Sequence, residues 1–78
     1  MATFEEGQGP VATWMGDEPT MCQITGTKID MVFIDGRTKM GPWAIMSPQA
    51  HAEYGVGLGF GRGQRYMKYG DKWVKVEG

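Results

Sequence analysis

Residues 22–55, CQITGTKIDMVFIDGRTKMGPWAIMSPQAHAEYG, hold the pattern that decides the fold. The run TKIDMVFI at 27–34 is rich in β-branched and apolar side chains and reads as a strand. Asp35-Gly36 follows as a two-residue turn signal, because glycine accepts positive φ without steric cost. TKMGPWAIM at 38–46 would return as the second strand of a hairpin, with Gly41-Pro42 predicting a bulge or an edge position. Ser47 can cap the free amides of a short helix, and Pro48 suits its first position. That helix covers 48–54 and stops at Gly55.

Four positions around this hairpin, Cys22, Thr25, Ser47 and Ala50, are spaced as x2, x21, x2. That frame is close to the C-x2-C…C-x2-C arrangement of ribbon and treble-clef zinc sites. Zinc needs three or four thiolate, imidazole or carboxylate ligands, and Thr25, Ser47 and Ala50 supply none. Cys22 and His51 make two, so a metal would have to close across a symmetric dimer. The simpler expectation is a buried, apolar Cys22, a helix-surface His51 and no cofactor. Catalysis by Cys22 and His51 would need a hydrogen-bonded pair, an orienting group and an oxyanion hole. No acid–base frame of that kind is present, and Asp30 and Asp35 read as a solvated strand and its turn. The expectation is therefore a protein that is not an enzyme and has no small-molecule substrate.

Moving outward, residues 55–63, GVGLGFGRG, place glycine at every second position. As a strand this would leave one face bare, and as a loop it would move. It matches neither dinucleotide nor phosphate-loop spacing. Residues 64–76 read as a second hairpin around Gly70-Asp71, pairing Tyr69 with Lys72, Lys68 with Trp73, Met67 with Val74, and Tyr66 with Lys75. One face, with Met67, Tyr69, Val74 and Val76, suits the core. The other, with Tyr66, Lys68, Trp73 and Lys75, is the expected binding surface, joined by Arg62 and Arg65. Residues 1–18, rich in glycine, proline and acids, read as an extended acidic arm. Its Phe4 and Trp14 are further candidate contacts with a partner or with the body of the protein. The arm precedes a single small domain at 19–78, a β-rich α+β fold with two hairpins and one short helix.

The chain resembles a group of small bacteriophage proteins over roughly residues 20–66. The shared stretches are FIDGRT at 33–38, GPWAIM at 41–46, His51, and GVGLGFGRGQRY at 55–66. Where the group has two C-x2-C pairs, this chain keeps only Cys22. The resemblance implies a zinc-knuckle centre that has lost its metal, and it brings no established activity. It also implies a phage setting, in the virion or the host cytoplasm.

Size sharpens the question of stability. The chain has 78 residues, 13 glycines and one cysteine, so no internal disulfide can staple it. The start, MATFEEGQGP, is acidic and is not a signal peptide. No apolar run approaches the roughly 20 residues of a membrane span. A structural zinc contributes on the order of 10–16 kcal/mol in zinc-finger peptides. Its replacement must be packing from Ile24, Met31, Phe33, Trp43, Ile45 and Met46, or burial against other chains. A glycine-rich chain with no staple points to the second, a protein–protein module associated with a virion, whose partners are itself or phage structural proteins. The alternative is nucleic-acid binding by the basic, aromatic C-terminal hairpin. Charge is divided along the chain, four acids and no Lys or Arg at 1–27 against eight basic residues and five acids at 28–78.

Overall fold

The structure, a computed structural model, describes residues 12–78. Phe4 and the start of the arm lie outside the described residues. The elements run β1 (Val32–Arg37), β2 (Trp43–Met46), α1 (Pro48–Tyr54), β3 (Gly63–Tyr69) and β4 (Lys72–Glu77). The four strands make one antiparallel sheet in the spatial order β2-β1-β3-β4.

The first hairpin does not turn at Asp35-Gly36. Both residues lie inside β1, where Gly36 faces Ala44 on one side and Gly63 on the other. A Cβ on Gly36 would meet the Arg62 carbonyl oxygen at 3.0 Å and the Gly63 Cα at 3.3 Å. This glycine therefore serves a close crossing of two backbones, and that tertiary demand overrides the local turn signal. The turn falls at 38–42, where the amide and hydroxyl of Thr38 both donate to the Pro42 carbonyl, at 2.9 and 2.8 Å. Gly41-Pro42 is thus the turn itself and not a bulge in β2.

The C-terminal hairpin has the expected pairs, from Tyr69 opposite Lys72 to Tyr66 opposite Lys75. Both of its faces contribute to the interior: Val74 is buried as expected, but so is Trp73, which was expected at the surface. Trp73 is 6% exposed, and Tyr66 packs against the core. Phe33 stacks on Tyr66 with centroids 5.0 Å apart, and its ring meets those of Trp14 and Trp73 edge to face at 5.2 and 4.9 Å. Such pairs each add about 0.5–1.5 kcal/mol beyond the area they bury. The opposite face is covered in part, since Val74 and Ile34 are also buried.

Both outer edges of the sheet are occupied by the chain itself. Along β4, the Lys75 amide donates to the Ala12 carbonyl and the Trp14 amide to the Trp73 carbonyl, each at 2.9 Å. Along β2, Gln23 imitates a strand: its amide donates to the Ile45 carbonyl, and its Oε1 accepts from the Ile45 amide, both at 2.8 Å. Covered edges resist pairing with foreign strands. Of the six residues expected to supply packing, Phe33 and Met46 are fully buried, whereas Ile24, Met31 and Trp43 remain exposed. Among the described residues, no helix is long and apolar enough to cross a membrane.

Candidate functional site

The four knuckle positions do meet. The Thr25 amide donates to Cys22 Sγ at 3.4 Å, and the Ala50 amide donates to Ser47 Oγ at 3.2 Å, capping α1. Cys22 is 2% exposed and Ala50 1%. Burial pushes the Cys22 thiol up, but the Thr25 side chain and the amides of Ser47, Thr25 and Ile24 outweigh it and bring it down to about 7. His51 belongs elsewhere, with its Nε2 donating to the Gly57 carbonyl at 2.9 Å. No group of three or more His, Cys, Asp or Glu side chains among the described residues could hold a metal.

Of the expected binding residues, Tyr66, Lys68, Trp73 and Lys75 share one face of the hairpin, and that face is turned partly inward. Lys68 Nζ bonds Glu18 Oε2 at 2.7 Å and lies 5.5 Å from the centre of the Trp73 ring. The Lys68 hydrogen bond and charge hold the Glu18 carboxyl below its usual range. Arg65 pairs with Glu77. Tyr66 is drawn inward, where burial and the nearby Asp35 charge push its hydroxyl up. Lys75 is half-buried beside the arm, and Trp14 packs between Phe33 and Tyr66. The expected face is thus taken up largely by the core and by the Lys68–Glu18 pair.

Arg62 belongs to a different site. At 55–63 the alternating glycines produce a tight loop, because Gly57, Gly59 and Gly61 take φ of +99°, +123° and +76°. The Gly59 and Gly63 backbones exchange hydrogen bonds at 2.8 and 3.0 Å, and the Arg62 amide also donates to Gly59. This ring of bonds presents Phe60 at its tip, 101% exposed.

Neighbouring contacts gather more residues around Phe60. The Arg37 amide donates to the Arg62 carbonyl, the Lys39 amide donates to the Tyr54 carbonyl, and Thr38 bridges Gly55. One pole of the molecule therefore carries Met40 (89% exposed), Trp43, Tyr54 and Phe60, together with Arg37, Lys39 and Arg62. Neither ion pair among the described residues engages those three cations. Of this pole, sequence reasoning singled out Arg62 and Phe60, as part of the nucleic-acid reading, and missed their neighbours. The available signal was Gly-Phe-Gly at 59–61, an aromatic side chain fixed between residues that cannot help bury it.

Comparison of the chain with protein-family models, with characterised proteins and with solved structures found no match.

Proposed function

We propose that the protein is a non-enzymatic protein–protein interaction module, a virion-associated accessory protein of a bacteriophage whose partners are copies of itself or other phage structural proteins. The observation that carries this reading is the pole at Phe60, where a turn held by backbone hydrogen bonds presents a fully exposed phenyl, and where the nearby ends of β2, α1 and the 38–42 turn expose Trp43, Tyr54 and Met40. Several large apolar side chains left exposed at one end of a small protein, with cations among them, mark a surface that another protein can cover. The centre descends, on this reading, from a treble-clef or ribbon zinc knuckle. Its support is the convergence of the four former ligand positions and the amides gathered on the Cys22 sulfur.

The nucleic-acid reading loses its stacking platforms on the C-terminal hairpin, because Trp73 and Tyr66 pack inward and Lys68 is held by Glu18. Co-sedimentation with purified particles of the bacteriophage that carries the gene tests the proposal. The native protein is expected to travel with the particles, and a Met40→Ser, Phe60→Ser variant to remain behind. A native protein absent from the particle fraction would contradict it.

A further inference from the structure

Resting on that protein-binding reading, we infer that copies of this chain associate head to tail, with Phe60 of one copy entering a cleft at the opposite pole of the next. β3 runs from Gly63, beside the Phe60 loop, to Tyr69, beside the Gly70-Asp71 turn. Its 7 residues set the two poles apart by about 20 Å. One copy therefore cannot bring its own Phe60 to its own far pole.

The far pole holds a cleft of ≈ 500 Å³ between the hairpin tip and the segments at 18–20 and 28–31. Pro19, Ile29, Met31 and Trp73 give it apolar walls, and Met31 is 53% exposed at the site. Met15, 89% exposed, lies beside a second depression that shares Glu18 and Trp73. The cleft's volume lies within the roughly 300–1,000 Å³ of clefts that hold small ligands, which leaves room for a phenyl. The hydrogen bonds between Gly59 and Gly63 hold Phe60 in place before contact, which reduces the ordering cost of binding. The Trp73 indole N–H is buried and makes no hydrogen bond of normal geometry, although it is close enough to Glu18 to favour that carboxylate's charge.

Charge favours the same orientation. Arg37, Lys39 and Arg62 stand at the Phe60 pole, against the exposed Glu53 next to Tyr54. Asp17, Glu18, Asp30 and Asp71 line or adjoin the depressions at the other. Lys28, Lys68 and Lys72 share that second pole, so it is mildly acidic, and the contrast supplies orientation more than affinity. Association through the sheet edges is opposed by Gln23 along β2 and by residues 12–14 along β4. A contact between two different patches is heterologous, so it builds rings or filaments and not a closed symmetric dimer.

Two variants distinguish this contact from others. Phe60→Ser removes the knob and keeps the cleft, whereas Met31→Lys obstructs the cleft and keeps the knob. Both side chains are exposed, and near-ultraviolet circular dichroism of the core tryptophans checks that each variant folds. Native mass spectrometry should show each variant alone weakened in self-association by at least about tenfold, or about 1.4 kcal/mol. The 1:1 mixture should restore a dimer containing one of each, with nothing larger. A mixture that stays monomeric while both variants are folded overturns the inference, as does native protein that stays monomeric and instead binds oligothymidine through Phe60. If the native protein is monomeric but still travels with phage particles, the head-to-tail contact fails while the accessory-protein reading stands.

Discussion

Cys22 is buried, yet its surroundings favour negative charge. Amides of Ile24, Thr25 and Ser47 point at a sulfur that is almost entirely covered. The folded thiol titrates at about 7, below the roughly 8.5 of an ordinary cysteine. Above pH ~7 the folded protein releases this proton before the unfolded chain does, so stability rises toward pH ~8.5 and is lost again as pH falls through ~7. Urea unfolding followed across this window should show that rise in the native protein and a flatter profile in Cys22→Ala. A flat native profile would remove the thiolate from the account. Trp14 is the second residue that matters locally, because it contacts both Phe33 and Tyr66 edge to face. Trp14→Ala should cost about 3 kcal/mol, read as a lower denaturation midpoint at unchanged slope. A loss below about 0.5 kcal/mol would mean that the arm is not part of the core.

Among the elements, the C-terminal hairpin was the most legible, because a two-residue loop at Gly70-Asp71 fixes the register of the pairs from Tyr69–Lys72 to Tyr66–Lys75, after which a bulge shifts Arg65 to Glu77. Which face turned inward was not legible, since both faces alternate cleanly. Phe33 in β1 decides the matter from across the sheet, by stacking on Tyr66. Asp35-Gly36 was misread for a related reason: its glycine answers to Gly63, far away in sequence. Gly36→Ala should accordingly cost about 1–3 kcal/mol through overpacking, even though alanine is compatible with a strand. A neutral result by thermal unfolding would restore the simpler view of that glycine as a turn relic. Gln23→Ala should cost about 1 kcal/mol by leaving the Ile45 amide open at the edge of β2. An unchanged midpoint in chemical unfolding would show that Gln23 does not hold that edge.

On the scale of the whole molecule, a small glycine-rich chain builds a core from its own aromatic side chains. Four aromatic rings, Trp14, Phe33, Tyr66 and Trp73, pack with Cys22, Ile29, Met46 and Ala50 into one core. Part of the argument that neighbours must supply stability therefore weakens, and the case for partners rests on the surface instead. That surface was poorly legible because it is assembled from three separated stretches, 37–43, 54–55 and 57–62, which only the turn at 38–42 and the bridge from Thr38 to Gly55 bring together. The central proposal is that copies of this chain associate through the Phe60 pole. Sedimentation velocity of the native protein from about 1 μM to about 1 mM, at low and at high salt, tests it most directly. The account predicts an average mass that climbs past the dimer with concentration, falls with salt, and returns to the 8.6 kDa monomer in Phe60→Ser. A single 8.6 kDa species at every concentration and salt would contradict it.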